Sequence, residues 1–446
     1  MNTEIIDKVT NMIYKKASRL MVDDISVVSA YGKESMLRFS NNSITVVDTL
    51  DEVAVLLYLA KDRKRVVGTT SSLREEDLDR FVTQLFSSMV YIEESEEYTP
   101  LPKGPFKYKS YNSYDISIER LGEELTDYCN NAINAALKEG AVRVSGVLTS
   151  DLVAYKIKTS CGVESMDKSS SITINVRAFS ETSSSGHGLS CAASLPKFDP
   201  GEAGATAGRF AKESKRTGYW EEGMYDLIVG PTVAADLMQM VALSASAFRV
   251  DTGTSFLKDC LGKKVASEQL ILQDYGTIDG GFDGRAFDDE GVPTKQTNII
   301  ENGVLLTYLH NTSTAKKYNT VTTANAGIIS PHPWNIVVNE GDMSLGEMIS
   351  ESKKAVYVTN NWYTRYQNYV TGEYSTLPRD ATFVIDSGSI KYAITGTRIS
   401  DNIPRQLLNI SGIGKRRKWV KWWEVETPVY TPPILIKNVK ITKAQF

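Results

Sequence analysis

The sequence predicts an α+β fold in which a helix–four-strand–helix pattern with antiparallel sheets occurs twice and a β-rich domain follows. First, a chain of 446 residues exceeds what one hydrophobic core usually serves. Second, segments with helical periodicity flank two separate groups of short β-branched runs. Third, short β segments dominate from about residue 260 onward. These observations predict structural units at residues 1–90, 117–222 and 223–446.

In the first unit, residues 1–90, apolar side chains recur at helical spacing from Ile5 to Leu20. Four strand-like runs follow, separated by Gly, Asn and charged residues that are typical of turns. The runs are DISVVSAYG, ESMLRFSNN, SITVVDTL and EVAVLLYLA. The segment LREEDLDRFVTQLFSSMV then returns to helical periodicity, so the unit is predicted to end on a helix.

Residues 91–116 hold three prolines, an acidic cluster and many tyrosines without periodicity, which favours a linker. The pattern then repeats over residues 117–222, where a second closing helix is predicted to start near Asp199 and Pro200. The strand-like runs of this unit are VRVSGVLTS, LVAYKIKTS, GVESMDKS and SSITINVRAFS. We interpret the repetition as an internal structural duplication, although the residue identities between the two units are weak.

Residues 223–446 are predicted to form the β-rich C-terminal domain. MYDLIVG is predicted as a strand, and PTVAADLMQMVALSASAF as a helix with Pro231 near its start, where proline is tolerated. Three prolines near the end precede a last predicted strand, ILIKNVKI.

The composition is that of an ordinary globular protein, with 41% hydrophobic and 23% charged residues. A net charge of −4 gives no global electrostatic reason to bind nucleic acid or an anionic membrane. The opening residues lack the apolar core of a signal peptide, and no run of ~18 apolar residues is present. The four cysteines are widely spaced, which favours reduced thiols. We therefore expect a cytoplasmic protein.

The histidines do not predict a zinc site within this chain. There are only three, His187, His310 and His332, and none has a second histidine three to five residues away. A mononuclear zinc site usually needs three or four ligands, and neither HExxH nor CxxC is present. We therefore expect all three histidines to be structural.

One alternative remains open for His187, which lies between glycines in SGHGLSCAAS. It could act as a general base for Ser190 or Cys191, and an independent hydrolase could use His187 with either of them or with a distant acid. Residues three or four apart in an extended segment rarely face one another productively, and no G-x-S-x-G elbow is present. We therefore favour a structural histidine at the end of a strand.

The acidic stretch DYGTIDGGFDGRAFDDEG suggests a calcium loop. Its carboxylates do not follow the order of an EF-hand, with a closing Glu at the twelfth position. Turn chemistry explains the same glycines and aspartates, so calcium is not expected. The carboxylates are Asp274, Asp279, Asp283, Asp288, Asp289 and Glu290.

Two aromatic segments are candidate contact surfaces. In GKRRKWVKWW, basic residues alternate with Trp419, Trp422 and Trp423, as in some binders of single-stranded nucleic acid. Because Trp and Arg are also enriched at protein interfaces, we favour a partner contact. The segment NNWYTRYQNYVTGEYS, with Trp362 and Tyr363, could line a peptide channel or subunit interface, or could be a plain hairpin with aromatic cross-strand pairs.

Several stretches in the C-terminal unit carry a resemblance to a known family. They are TSFLKDCLGKKVASEQLILQD, FDDEGVPTKQTNIIENGVLLTYLHNTSTAKKYNTVTTANAG, VTGEYS, IDSGSI, TGTRISDN and LLNISGIG. In order and spacing they resemble the TldD/PmbA family, also called modulators of DNA gyrase, across most of residues 223–443. The duplicated front half fits the layout of that family with less specific sequence.

The resemblance implies where a zinc site would lie. Active TldD-like members carry HExxxH on the helix that precedes the segment corresponding to TSFLKDCLG, which begins here at Thr254. They also carry a cysteine ligand near the C-terminal end. Here the first histidine and the glutamate would fall near Met238, Gln239 or Met240, and the second histidine near Leu243 or Ser244. The last cysteine is Cys260. Thioether, amide and alkyl groups do not replace imidazole and thiolate on zinc.

The resemblance therefore implies a TldE/PmbA-like chain that lacks the HExxxH motif and has no catalytic residue or metal of its own. Such a chain would be a subunit of a TldD/TldE-type metallopeptidase acting on unfolded or leader peptides, with zinc only on a TldD-like partner. The alternative is a stand-alone homodimeric binding or regulatory protein without protease activity.

Overall fold

The computed structural model describes residue 1 and residues 3–180 and 184–444. Within these residues the strands form three sheets, two with six strands and one with seven. Most neighbouring strands are antiparallel, and helices pack against the sheets. The predicted combination of helices with antiparallel sheets is confirmed.

The first sheet joins the two halves of the N-terminal region. Its strands are β1 (Asp24–Ser40), β2 (Ser43–Lys61), β3 (Lys64–Thr70), β4 (Arg143–Thr159), β5 (Glu164–Phe179) and β6 (Ser185–Ala192). The helices of this region are α1 (Thr3–Ala17), α2 (Glu75–Ser88), α3 (Ile116–Glu119), α4 (Glu124–Lys138) and α5 (Pro200–Glu213). The strand order is β3-β2-β1-β4-β5-β6. Because β1 pairs with β4 from Ser26 to Phe39, the sheet is continuous from one half to the other.

The prediction of four strands in each half is wrong, because each half of this sheet contributes three. Segments predicted as separate strands are parts of single long strands. The charged residues between them suggest turns, but Lys33 lies opposite Asp51 in the β1–β2 ladder, so these charges are complementary across the strands. Strands β3 and β6 have no counterpart among the predicted runs.

The segment predicted as a linker, residues 91–116, is bound to the first sheet. The Tyr98 hydroxyl donates a hydrogen bond to the Asp24 carboxylate at 2.5 Å. The amide of Ser170 on β5 donates to the Ser113 carbonyl oxygen at 2.8 Å. Strand β6 pairs only with the second half of β5, from Ile172 onward, so the segment covers part of the edge that β6 leaves free.

Two further sheets form the C-terminal half. Their strands are β7 (Gly223–Val229), β8 (Leu272–Tyr275), β9 (Gln296–Glu301), β10 (Val304–Leu305), β11 (Ile336–Val338), β12 (Lys354–Asn368), β13 (Glu373–Asp386), β14 (Ser389–Ala393), β15 (Thr397–Asn402), β16 (Ile410–Ile413), β17 (Lys418–Trp422), β18 (Val425–Thr431) and β19 (Ile434–Lys443). The second sheet has the order β10-β9-β8-β11-β18-β17. The third has the order β12-β7-β19-β15-β13-β14, with β16 beside β19. The helices of the C-terminal half are α6 (Pro231–Ser244), α7 (Ala247–Asp251), α8 (Thr312–Lys317), α9 (Leu345–Glu351) and α10 (Ile403–Leu408).

Helix α6 lies between the second and third sheets, where it packs against β18 and β12. Eleven of its 14 residues are buried, so it is covered on all sides rather than along one apolar stripe. Its side chains contribute to the largest apolar core of the described chain, which strands of both sheets complete. Because water does not reach the middle of this helix, each polar side chain there needs a protein partner.

Helices α4 and α5 approach each other through glycine. A Cβ atom built on Gly204 would lie 2.0 Å from the Ala132 carbonyl oxygen. One turn later, a Cβ atom on Gly208 would lie 2.5 Å from the Ala136 carbonyl oxygen. The two helix backbones are therefore in direct contact, and no larger residue fits at these positions without moving one helix.

Gly204→Ala is therefore expected to lower the free energy of unfolding by ~1–3 kcal/mol, because the overpacking cost exceeds the ~1 kcal/mol that alanine gains in helix propensity. Equilibrium urea unfolding measures the change. Gly32→Ala is the matched control, since no heavy atom lies within 4 Å of a Cβ built there. Equal stability of the two variants would contradict the close packing of α4 on α5.

Candidate functional site

The region predicted to hold the degenerate zinc motif lies in the middle of α6. Met238 and Met240 are buried in the apolar core, and Leu243 is half-buried. Ser244 shares a hydrogen bond of 3.0 Å with the Tyr366 hydroxyl, and its own hydroxyl also donates to the Met240 carbonyl oxygen at 2.8 Å. These contacts commit the side chains of this turn to packing and to bonds within the protein.

Gln239 connects α6 to the β17–β18 hairpin. Its Nε2 donates to the Glu424 carbonyl oxygen at 3.0 Å, and its Oε1 accepts from the Thr427 amide at 2.8 Å. An amide can do both at once, whereas an ionised carboxylate only accepts. A glutamine therefore suits this position, and a glutamate acting as a general base would leave the Glu424 carbonyl oxygen without its donor.

A buried polar cluster lies one turn earlier on α6, at Asp236. The side chain is 2% exposed, and the Asn361 Nδ2 donates to its Oδ2 at 2.7 Å. Asn361 also lies within hydrogen-bond distance of the hydroxyls of Thr364 and Thr376. Burial raises the pKa of Asp236 to about 7, although hydrogen bonds from Thr364 and Asn361 act in the opposite direction. Sequence reasoning missed this residue, for which the only signal was a single acid within an apolar helix.

The aromatic candidates come together in part. Trp423 lies 5.6 Å from Trp362, 5.7 Å from Tyr363 and 5.6 Å from Trp422, measured between ring centroids. Trp419 lies elsewhere and stacks on Tyr430 at 4.7 Å. We call Trp362, Tyr363, Trp422 and Trp423 the aromatic cluster; Tyr363 is 52% exposed and Trp423 is 48% exposed.

A buried acid holds the aromatic cluster in place. Glu424 accepts a hydrogen bond from the Tyr363 amide and forms an ion pair of 2.8 Å with Arg365. Its side chain is almost fully buried, so the pair ties the β17–β18 turn to an irregular part of β12. Two guanidinium groups lie near the Trp362 ring, with Arg177 at 4.9 Å and Arg379 at 4.7 Å from its centroid.

His187 lies beneath this cluster on β6. Its Nε2 is 2.8 Å from the Asn175 Oδ1, and its ring centroid is 5.0 Å from that of Trp422. Burial lowers its pKa to about 4, so the ring is neutral near pH 7. The Ser190 hydroxyl instead accepts from the Asp199 amide, and the Cys191 thiol faces the Lys421 carbonyl oxygen. The geometry thus gives His187 neither of the candidate nucleophiles as a hydrogen-bond partner.

The other two histidines also lie in packed surroundings. The Nδ1 of His310 is 3.2 Å from the Thr314 hydroxyl, and burial lowers the pKa of His310 to about 4. The ring of His332 packs edge-on against Trp334 at 4.5 Å, and burial lowers its pKa as well.

The acidic stretch is used to fix loops. Asp288 accepts hydrogen bonds from the amides of Glu290, Val292 and Ala326. Asp274 accepts from the amides of Trp334 and Asn335 and from the Asn325 side chain. The remaining carboxylates, Asp279, Asp283, Asp289 and Glu290, each bind a donor of the protein. Across residues 3–180 and 184–444, no group of three or more His, Cys, Asp or Glu side chains is arranged to hold a metal ion.

The sequence of the C-terminal half matches a family model. Residues 222–443 match the PmbA/TldA metallopeptidase C-terminal domain. A metalloprotease of Methanocaldococcus jannaschii is 29% identical over 204 residues, which are 44% of each chain. Metalloprotease PmbA of Escherichia coli O157:H7 is 30% identical over 161 residues, which are 36% of this chain and 34% of that protein. The matches thus span less than half of the length of these relatives.

Solved structures match over nearly the whole chain. A Thermotoga maritima protein whose name refers to modulation of a DNA gyrase has a TM-score of 0.87 and 23% identity, covering 98% of this chain and 100% of that one. TldE from Thermococcus kodakarensis has a TM-score of 0.85 and 18% identity, with the same coverage. At these identities the structures show a shared fold.

The C-terminal domain is thus of the metallopeptidase-related type that the family model describes. The chain belongs to the PmbA/TldD family, as the match of residues 222–443 to the family model shows. Among the described helices, none combines the length and apolarity required to cross a bilayer.

Asp236 predicts a pH dependence of stability. Its pKa is about 7 in the folded chain and ~3.9 when unfolded, so the folded chain binds its proton more tightly. The stability that this proton contributes is present below pH ~4 and is lost as the pH rises to 7. Asp236→Asn should therefore weaken the fall in stability between pH 4.5 and 7.5, by on the order of 2–4 kcal/mol. Urea unfolding at several pH values measures this slope.

The control for this measurement is Asp342→Asn, which changes an exposed aspartate. That variant should keep the slope of the unchanged protein. If Asp236→Asn keeps it too, the proton on Asp236 does not contribute to folding.

Proposed function

We propose that this chain is a zinc-less, TldE/PmbA-like subunit of a TldD/TldE-type metallopeptidase. The observation that carries the proposal is the state of α6. At the positions where the family resemblance expects imidazole and carboxylate groups, α6 has thioether, amide, alkyl and hydroxyl groups. Gln239 and Ser244 already bind protein partners, and the methionines are packed in the core. These residues do not fit a zinc ion, so no catalytic step is assigned to them.

The role of such a subunit would be to complete a peptide-binding complex. The exposed members of the aromatic cluster, Tyr363 and Trp423, are candidate contacts to a partner or a peptide, because aromatic residues dominate interface energetics. The partner would be a TldD-like chain that carries the zinc, and the substrates would be unfolded or leader peptides. We place the complex in the cytoplasm and assign no nucleic acid or membrane ligand.

The purified chain is expected to hold no stoichiometric zinc, because α6 has no His, Glu or Cys, and its one carboxylate, Asp236, is buried and bound to Asn361. Elemental analysis after mild purification tests this expectation. A TldD-like partner purified in parallel is the control and should retain about one zinc ion per chain. One tightly bound zinc ion per molecule of the present chain would disprove the proposal.

The chain is also expected to form a 1:1 complex with a TldD-like partner, burying more than ~2,000 Å² as obligate pairs do. Light scattering measures the complex, and chelator-sensitive hydrolysis of an unfolded peptide measures its activity. Changing the glutamate of the partner's zinc motif should abolish hydrolysis, whereas Ser244→Ala in this chain should not.

The aromatic cluster provides a sharper test of the same complex. Tyr363→Ala combined with Trp423→Ala should weaken association at least ~10-fold if these rings are interface anchors. Tyr91→Ala is the control, since Tyr91 is an exposed tyrosine far from the cluster in sequence. If the two proteins do not associate at micromolar concentration and the chain self-associates instead, the homodimeric regulatory alternative replaces the proposal.

A further inference from the structure

A cleft of about 570 Å³ opens between the two halves of the chain. The N-terminal half supplies the wall formed by β6 and α5, including Leu189 and Phe210. The C-terminal half supplies the start of α6, the start of α9 and the segment leading into β17. The volume lies within the ~300–1,000 Å³ that small-molecule sites occupy.

The rim of the cleft is cationic. Arg209, Lys415, Arg416 and Lys418 line it, while Glu202 is the acidic residue among the lining side chains. Lys415 forms an ion pair with Glu347 at 3.1 Å. For Arg416 and Lys418, the described part of the chain provides no ion-pair partner. Two cations at the mouth of the cleft are therefore available to an anionic ligand.

The inner lining of the cleft combines apolar side chains with polar ones such as His187, Thr206 and Thr359. The apolar part of the lining comprises Leu189, Leu345, Trp419 and Val420. Tyr357 also lines the cleft and is only 5% exposed, yet its hydroxyl makes no hydrogen bond to any residue that the structure describes. The hydroxyl is not among the fully buried polar atoms that lack a partner, so it is open to the cleft and can donate to a bound group in place of water.

The N-terminus of α6 faces the same cleft through Gly230, Pro231 and Thr232. Gly230 is the N-cap residue, and no side chain caps this end of the 14-residue helix. Pro231 carries no N–H group, and the Val233 amide donates to the Gly230 carbonyl oxygen at 3.1 Å, so what this end mainly contributes is the positive end of the helix dipole. This end therefore adds to the positive potential of the rim.

We propose that the cleft binds the C-terminal residue of a peptide that ends in an apolar side chain. The α-carboxylate would bind Arg416, Lys418 and the Tyr357 hydroxyl, and the terminal side chain would pack against Trp419 and Leu345. The choice of a peptide rests on the proposed function, whereas the choice of an apolar carboxylate rests on the lining. Inorganic phosphate would use the rim and leave the apolar wall in contact with water, so it fits less well.

The test uses the full chain without any partner and a hexapeptide that ends in phenylalanine and carries a fluorophore on its N-terminus. Fluorescence anisotropy gives the Kd of the acid form and of the C-terminally amidated form. The acid is expected to bind at least ~10-fold more tightly, as charge-assisted hydrogen bonds require. A peptide that ends in aspartate should bind more weakly than the one that ends in phenylalanine.

Variants of single residues locate the binding. Arg416→Gln and Lys418→Gln should each raise the Kd of the acid form several-fold and leave that of the amide unchanged. Tyr357→Phe, which keeps the packed ring, should do the same. Arg417→Gln is the matched control, because Arg417 lies between the two rim cations in sequence but pairs with Glu340 at 3.2 Å outside the cleft. It should bind like the unchanged chain.

Several outcomes would overturn this proposal. One is equal affinity for the acid and the amide forms of the peptide. Another is an equal loss of affinity in the Arg417→Gln variant. A third is that the cleft binds decanoate or inorganic phosphate but not the peptide. None of them bears on complex formation with a zinc-carrying partner, which is measured separately, so the two proposals can fail independently.

Discussion

The burial of α6 on all sides is the constraint on which the C-terminal half depends. A helix with no face toward water must satisfy each polar side chain from the elements around it. Gln239 therefore fixes the β17–β18 hairpin, Asp236 holds Asn361 of β12, and Ser244 holds Tyr366 further along the same strand. Through these three contacts one helix positions both neighbouring sheets and, with them, the aromatic cluster.

The sequence predicts the type of most helices and strands, but it does not predict how far the long strands extend. Helical periodicity and β-branched runs identified the helices around the first sheet and strands such as β7 and β19. The sequence predicts two short strands where β1 and β2 are each one long strand, because charged residues inside a strand resemble those of a turn. Only the pairing of Lys33 with Asp51, which are distant along the chain, shows that they belong inside a ladder.

The candidate site follows the same division. Its location on α6 came from a resemblance of motif order, and side-chain types alone made zinc ligation implausible there. The sequence does not predict a role for Asp236 or for the hydroxyl of Tyr357. The burial and the neighbours of these two residues depend on segments more than a hundred residues away in sequence. Likewise, the aromatic cluster was foreseen as two segments, but their contact depends on the irregular pairing of β12 with β13 around Tyr363.

The continuous first sheet has a consequence for how the chain folds. Strand β1 has its central neighbour in β4, which lies more than a hundred residues later in sequence. During synthesis, one edge of β1 therefore stays unpaired until the ribosome has made β4. Pairings of such high contact order fold slowly and expose the waiting edge to wrong strands. The first sheet is thus complete only when two segments distant in sequence have paired, and we expect this long-range step to limit the rate at which it folds.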